Sequence, residues 1–160
     1  MVKRITAILL FLFFIAVVVV MNFGTFDQGV QKVRQDSKDL SSQLTETEFR
    51  SKMNNYIYVS FDNMYDNPQI YKNTKIYQRG LVLKSDSDFV IVSLDRSDHS
   101  KDVKIKYDLS TLSKGMSRIE VGSSIKFFGK FNTVENYTNE KGRTITRPVI
   151  NANFIQSIDS

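Results

Sequence analysis

The sequence predicts a mainly β chain: one N-terminal membrane-spanning helix, an amphipathic helix, and five strands that close into a small barrel. Three observations carry this reading. The run from Ile5 to Phe26 holds 22 residues and no charge. From Lys75 onward, short stretches of alternating apolar and polar residues are separated by turn-forming residues. Gly80 and Gly129 stand inside the longer stretches, where a closing sheet needs bends or bulges.

At 1.5 Å per residue, about 20 apolar residues cross a bilayer core. The segment from Ile8 to Val20 supplies the centre of such a span. A cleaved signal peptide is the competing reading, but no small-x-small cut site follows Val20. Lys3 and Arg4 precede the span and Asp27 follows it, which places the N-terminus in the cytoplasm and the remainder outside. Residues 1–26 are therefore expected to be the anchor of a single-pass protein of the cell membrane. Residues 27–45 follow as a polar stalk, in which Val30, Val33, Leu40 and Leu44 keep a weak heptad spacing.

The folded domain is expected over 46–160. Thr45 and Glu48 form a capping-box pattern ahead of Phe49, Met53, Ile57, Phe61 and Met64, which share one helical face with Tyr56 beside it. This spacing predicts one helix packed on the barrel and limited by Pro68. The β-rich stretch from Tyr56 to Phe61 makes a strand the alternative. The strands are expected over Ile76–Leu83, Phe89–Leu94, Val103–Tyr107, Ser124–Val134 and about Arg143–Ile158. The longest connection falls between the third and fourth. That order fits a Greek-key barrel of the OB type, whose closure hides the sheet edges.

Composition removes several chemistries. The 160 residues include no cysteine, which excludes thiolate catalysis and cysteine-held zinc. The one histidine, His99, sits in a polar loop and reads as a surface residue. Asp86, Asp88, Asp95, Asp98 and Asp102 lack calcium-loop spacing and read as turn formers. Gly80, Gly122 and Gly129 lie too far apart for a phosphate-cradling loop. No catalytic residue, metal ligand or cofactor site is assigned, and the chain is not expected to be an enzyme. The net charge of +5 is mild for a nucleic-acid binder. Abundant Lys, Asn and Ile, with only two prolines, fit an AT-rich bacterial or phage coding sequence.

The chain also resembles the small membrane-anchored or lipoprotein OB-fold proteins of bacteria, related to the tRNA anti-codon-like OB family. The resemblance lies in the runs Asn67–Asn73, Ile76–Leu83, Val121–Lys130 and Pro148–Ile155, and spans roughly residues 49–158. These are core and turn residues, so the resemblance implies a fold and leaves the activity open. The absence of a lipidation cysteine departs from the lipoprotein members and implies that the helix is the anchor.

An OB barrel commonly binds across its second and third strands. Val103, Ile105 and Tyr107 share one face of the third strand, and Lys104 and Lys106 the other. In the fourth, Ile125, Phe127 and Phe131 oppose Lys126, Phe128 and Lys130. The apolar sets are expected inside. Lys104, Lys106, Lys126, Phe128 and Lys130 then form a candidate outer binding face, competing with an ordinary solvated sheet face.

The leading expectation is a non-enzymatic interaction module, held at the membrane and binding a protein partner of the cell envelope. A prophage superinfection-exclusion role, blocking entry of phage DNA, is one alternative. Single-stranded nucleic-acid binding is the other. Partner identity and oligomeric state are not legible.

Overall fold

The computed structural model describes residues 32, 35–36, 38–52, 54–95, 97, 100–138 and 142–158. The Ile5–Phe26 run, much of the stalk, Met53, Asp98 and His99 lie outside the described residues. Among the described residues no helix is long and apolar enough to cross a membrane. The chain divides into two compact units, 1–38 and 39–160. In the first, the described residues Lys32, Gln35, Asp36 and Lys38 are helical.

The second unit contains three short helices, α1 (Glu46–Lys52), α2 (Phe61–Asp66) and α3 (Pro68–Tyr71). Five strands follow: β1 (Lys75–Ser85), β2 (Phe89–Ser93), β3 (Asp102–Lys106), β4 (Ser124–Thr138) and β5 (Thr144–Ser157). They close into a barrel in the order β1-β2-β3-β5-β4, with β4 returning to β1. Every pairing is antiparallel except β3 with β5. This five-stranded mixed ring is an OB-like barrel.

The core follows the alternation read from the sequence. Val103, Ile105, Ile125, Phe127 and Phe131 are fully buried, together with Ile76, Val82, Val90 and Ile150. Gly80 lies where β1 crosses tightly over β2, and a Cβ there would collide with the Ser93 carbonyl and the Val92 side chain. At Gly129 a Cβ would stand 2.5 Å from the Asn151 carbonyl, beside a register shift in the β4–β5 pairing. Both glycines bring strands closer than any side chain permits.

The continuous helix expected from Phe49 to Met64 is not formed. α1 begins as predicted: the Thr45 backbone N–H donates to Glu48 Oε2 at 2.7 Å, and the Glu48 N–H donates to Thr45 Oγ1 at 3.2 Å. It ends at Lys52, and Asn55 takes a left-handed φ of 73° that turns the chain. The strand alternative over Tyr56–Phe61 is met only at Ile57, a single parallel bridge to Ile76, and Phe61 already begins α2. The Ile57 N–H donates to the Lys75 carbonyl at 3.0 Å, and the Tyr77 N–H donates to the Ile57 carbonyl at 3.1 Å. Ile57 thereby extends the sheet beside the first half of β1, where β2 does not reach. Val59 then enters the core, and the Gln78 side-chain amide donates to its carbonyl. Ser60 caps α2 by accepting from the Asn63 N–H at 3.2 Å, and Pro68 opens α3. Ile57, expected on the buried helical face, is instead 50% exposed.

The end of the stalk segment belongs to this second unit. The buried Gln43 donates to the carbonyls of Leu109 and Met116, at 3.0 and 2.7 Å, in the β3–β4 connection. That connection contains a 3-10 turn over Leu109–Thr111.

Candidate nucleic-acid interface

β1 and β4 run antiparallel, and their outer residues form three directly opposed pairs: Lys75 with Lys130, Tyr77 with Phe128, and Arg79 with Lys126. The outer face is therefore a ladder with cations above and below an aromatic rung. Like charges placed directly opposite each other repel, so this arrangement opposes folding rather than aiding it. It is built from ordinary alternation, since residues at i, i+2 and i+4 of a strand share a face.

α1 lies against this ladder. Phe49 packs over the paired β4 and β5, with its ring 5.3 Å from Phe128 and stacked at 4.7 Å on Phe154. Tyr56 completes the cluster edge-on to Phe128 at 5.4 Å, and its hydroxyl reaches Asn153 Oδ1 at 3.2 Å. Between α1, the Asn54–Tyr56 turn and the ladder lies a concavity of about 450 Å³. Arg50, Arg79 and Lys126 supply its charge, and Tyr56, Tyr77 and Phe128 its rings.

One carboxylate enters this basic setting. Glu46 Oε1 lies 2.7 Å from Lys126 Nζ and 2.6 Å from Arg50 Nε, and its Oε2 accepts from Gln156 Nε2 at 2.6 Å. The hydrogen bond from Lys126, aided by those from Arg50 and Gln156, holds the Glu46 carboxyl down at about 2 despite its partial burial. Arg79 and Lys130 are exposed, and neither makes an ion pair among the described residues.

The structure divides the five residues expected to form one binding face. β5 stands between β3 and β4 in the ring, so Lys104 and Lys106 are separated from Lys126, Phe128 and Lys130. Lys106 and Lys130 are exposed, as expected. Lys126 and Phe128 point out of the barrel but are only 8% and 4% exposed, because α1 covers them. Lys104 pairs with Glu135 at 3.2 Å and lies 4.7 Å above the Phe89 ring.

Lys104 belongs to a second concavity, of about 370 Å³, between the β2–β3 face and the β4–β5 hairpin. There the hairpin's Arg147 guanidinium stacks 3.4 Å above Tyr137 and faces Asp102 at 3.3 Å. Burial pushes the Asp102 carboxyl up, and the neighbouring Arg147 charge opposes that shift. The face on which an OB barrel commonly binds is thus spanned by the protein's own ion pairs.

Lys75, Tyr77, Arg79, Arg50 and Tyr56 were absent from the sequence-derived face. Lys75, Tyr77 and Arg79 were legible as the outer set of β1, which repeats the pattern noted in β4. Arg50 and Tyr56 join through tertiary contact alone. Of the aspartates read as turn formers, Asp86 accepts from the Ser87 N–H at 2.8 Å and Asp95 from the Ser97 N–H at 2.9 Å, whereas Asp102 opens β3 and faces Arg147 instead. Among the described residues no group of three or more His, Asp or Glu side chains is arranged to hold a metal.

No family model matches the sequence, and no curated protein matches it. Solved structures similar to the chain include an aspartyl-tRNA synthetase from Leishmania major Friedlin, at 12% identity and a TM-score of 0.45. Another is the aspartyl-tRNA synthetase from Entamoeba histolytica, at 15% identity and 0.42. The matches cover 66% and 64% of this chain and 21% of each synthetase chain.

Proposed function

We propose that the protein is a non-enzymatic OB-like binding module, tethered to the membrane by the Ile5–Phe26 segment, whose β1–β4 face holds a single strand of nucleic acid. The observation that carries the ligand is the opposed set Lys75–Lys130, Tyr77–Phe128 and Arg79–Lys126. Cations around the partly exposed Tyr56 and Tyr77 rings suit a ligand that brings both negative charge and flat bases, while Phe128, covered by α1, supports those rings from beneath. Single-strand binding, rather than a protein partner, is therefore the reading that the geometry favours. The extracytoplasmic tether rests on the sequence. In that position the strand would be DNA crossing the envelope, the setting of the superinfection-exclusion role.

The test is fluorescence anisotropy of a labelled oligothymidine against a salt series. Three or four phosphate contacts give a slope of log K on log salt of about −2 to −3. Arg79→Glu removes one such contact and places a carboxylate opposite Lys126, so affinity falls at least tenfold and the slope flattens. Absence of salt-dependent binding at low salt would overturn this reading.

A protein partner has one observation of its own. Ile57, Tyr58, Tyr65 and Ile70 are 50%, 63%, 42% and 73% exposed along the 57–70 segment. Photo-crosslinking from Tyr58 in native membranes distinguishes the two ligands.

A further inference from the structure

Three N–H donors from three elements converge on the Glu46 carboxylate: Arg50 in α1, Lys126 in β4 and Gln156 in β5. Two of them, Arg50 and Lys126, line the basic concavity. Such a set is what a phosphate oxygen pair requires, and Arg and Lys beside a neutral amide are the usual donors. The carboxylate that fills it belongs to a helix of only seven residues, too short to be stable alone. Phe49 holds that helix independently of Glu46, through its stacking on Phe154 and contact with Phe128. Glu46 keeps a 28% exposed side chain, so it can swing into solvent while α1 stays in place.

We propose that Glu46 is the internal occupant of a phosphate position on the β1–β4 face, and that a nucleic-acid strand binds by taking over its donors. This rests on the reading of that face as a strand-binding surface. Glu46 satisfies Lys126, a nearly buried cation, when no ligand is bound. Its carboxylate also excludes weak anions, because an incoming group must match three donors at once. A strand meets this requirement with one phosphate, while its neighbouring phosphates reach Arg79 and the Lys75–Lys130 pair. Protonation does not trigger the exchange. The carboxyl is held at about 2, so Glu46 remains ionised through the neutral range and only a competing anion displaces it.

The experiment uses the full-length chain in uncharged detergent with labelled oligothymidine. Glu46→Gln keeps the side-chain length and one acceptor but removes the charge. It is expected to tighten binding five- to tenfold at low salt. Each added phosphate contact steepens the salt slope by about 0.7. Glu48→Gln serves as the control. That carboxylate lies on the same helix but bonds to Thr45, away from the concavity. Equal tightening by both variants would reduce the effect to net charge and overturn the proposal. Unchanged affinity and slope in Glu46→Gln, with binding by the parent chain, would overturn it and leave the strand-binding reading intact. Binding by neither chain would remove both. A readout without substitution guards against a misfolded variant: the carboxyl carbon-13 resonance of Glu46 moves when oligothymidine saturates the parent chain, and a stationary resonance counts against displacement.

Discussion

Asp102 and Arg147 meet at 3.3 Å with side chains only 14% and 8% exposed. Their facing atoms, Asp102 Oδ1 and Arg147 Nε, make no aligned hydrogen bond. The pair joins β3 to the β4–β5 hairpin by charge rather than by directional bonding. Removing one partner strands the other charge away from water. Asp102→Ala is therefore expected to cost about 3 kcal/mol, read from urea denaturation. Replacing both residues, as in Asp102→Leu with Arg147→Met, is expected to restore most of that loss, because the desolvation cost disappears with the charges. A double variant as unstable as the single one would show that the Arg147–Tyr137 stacking, and not the ion pair, holds the hairpin. Aspartates and an arginine were visible in the sequence, but their partnership was not. The two residues lie 45 positions apart, and only the hairpin's path over β3 brings them together.

At the scale of elements, the stretch after α1 shows how pairing overrides periodicity. Phe49, Ile57, Phe61 and Met64 satisfy a helical face on paper. Asn54 and Asn55 are poor helix formers, and the residues after them favour strands. The deciding term is outside the segment. The first half of β1 has an open edge, and Ile57 satisfies its Lys75 carbonyl and Tyr77 N–H. The capping box at Thr45 and Glu48 was legible because it is a contact of residues three apart. The strands were also legible, although β4 proved longer than expected. It runs past Val134 to Thr138, opposite Thr144 of β5, since Lys104–Glu135 and Arg147–Asp102 support the projecting hairpin. Gly129 allows β4 to stay close to β5 at a register shift. Gly129→Ala places a methyl 2.5 Å from the Asn151 carbonyl and 2.8 Å from Ile150 Cγ2, so a loss of about 1–3 kcal/mol is expected in thermal or urea unfolding. Unchanged stability would mean that the β4–β5 spacing relaxes without strain.

The whole molecule joins a charge-free N-terminal run to a barrel with a basic concavity on its β1–β4 face. Placement decides which strand of nucleic acid such a face can meet. Two residues, Lys3 and Arg4, direct the expected topology, against Lys32 and Arg34 farther along. Protease added to intact cells is expected to remove residues 39–160 while leaving the N-terminal segment in the membrane fraction. Protection that is lost on lysis would place the barrel inside the cell, where its ligand would be a cytoplasmic single strand. The ring order also explains why the expected binding face divided. Lys104 and Lys126 stand on strands that look consecutive in the chain, yet β5 separates them in the barrel.

The five strands, their core residues, the turns and the helix start were readable from the residues alone. Each depends on alternation, on local hydrogen bonding, or on a backbone preference within a few positions. The exposure of a lysine or phenylalanine was not readable in the same way. Lys126 and Phe128 carry the outward signature of their strand, but Phe49 and Glu46, some 80 residues earlier, cover them. The tertiary structure alone decided that β1 lies opposite β4, that Arg79 faces Lys126, and that Glu46 lies among three donors. Alternation determines which side of a strand a residue occupies. Only closure of the ring determines what lies across from it.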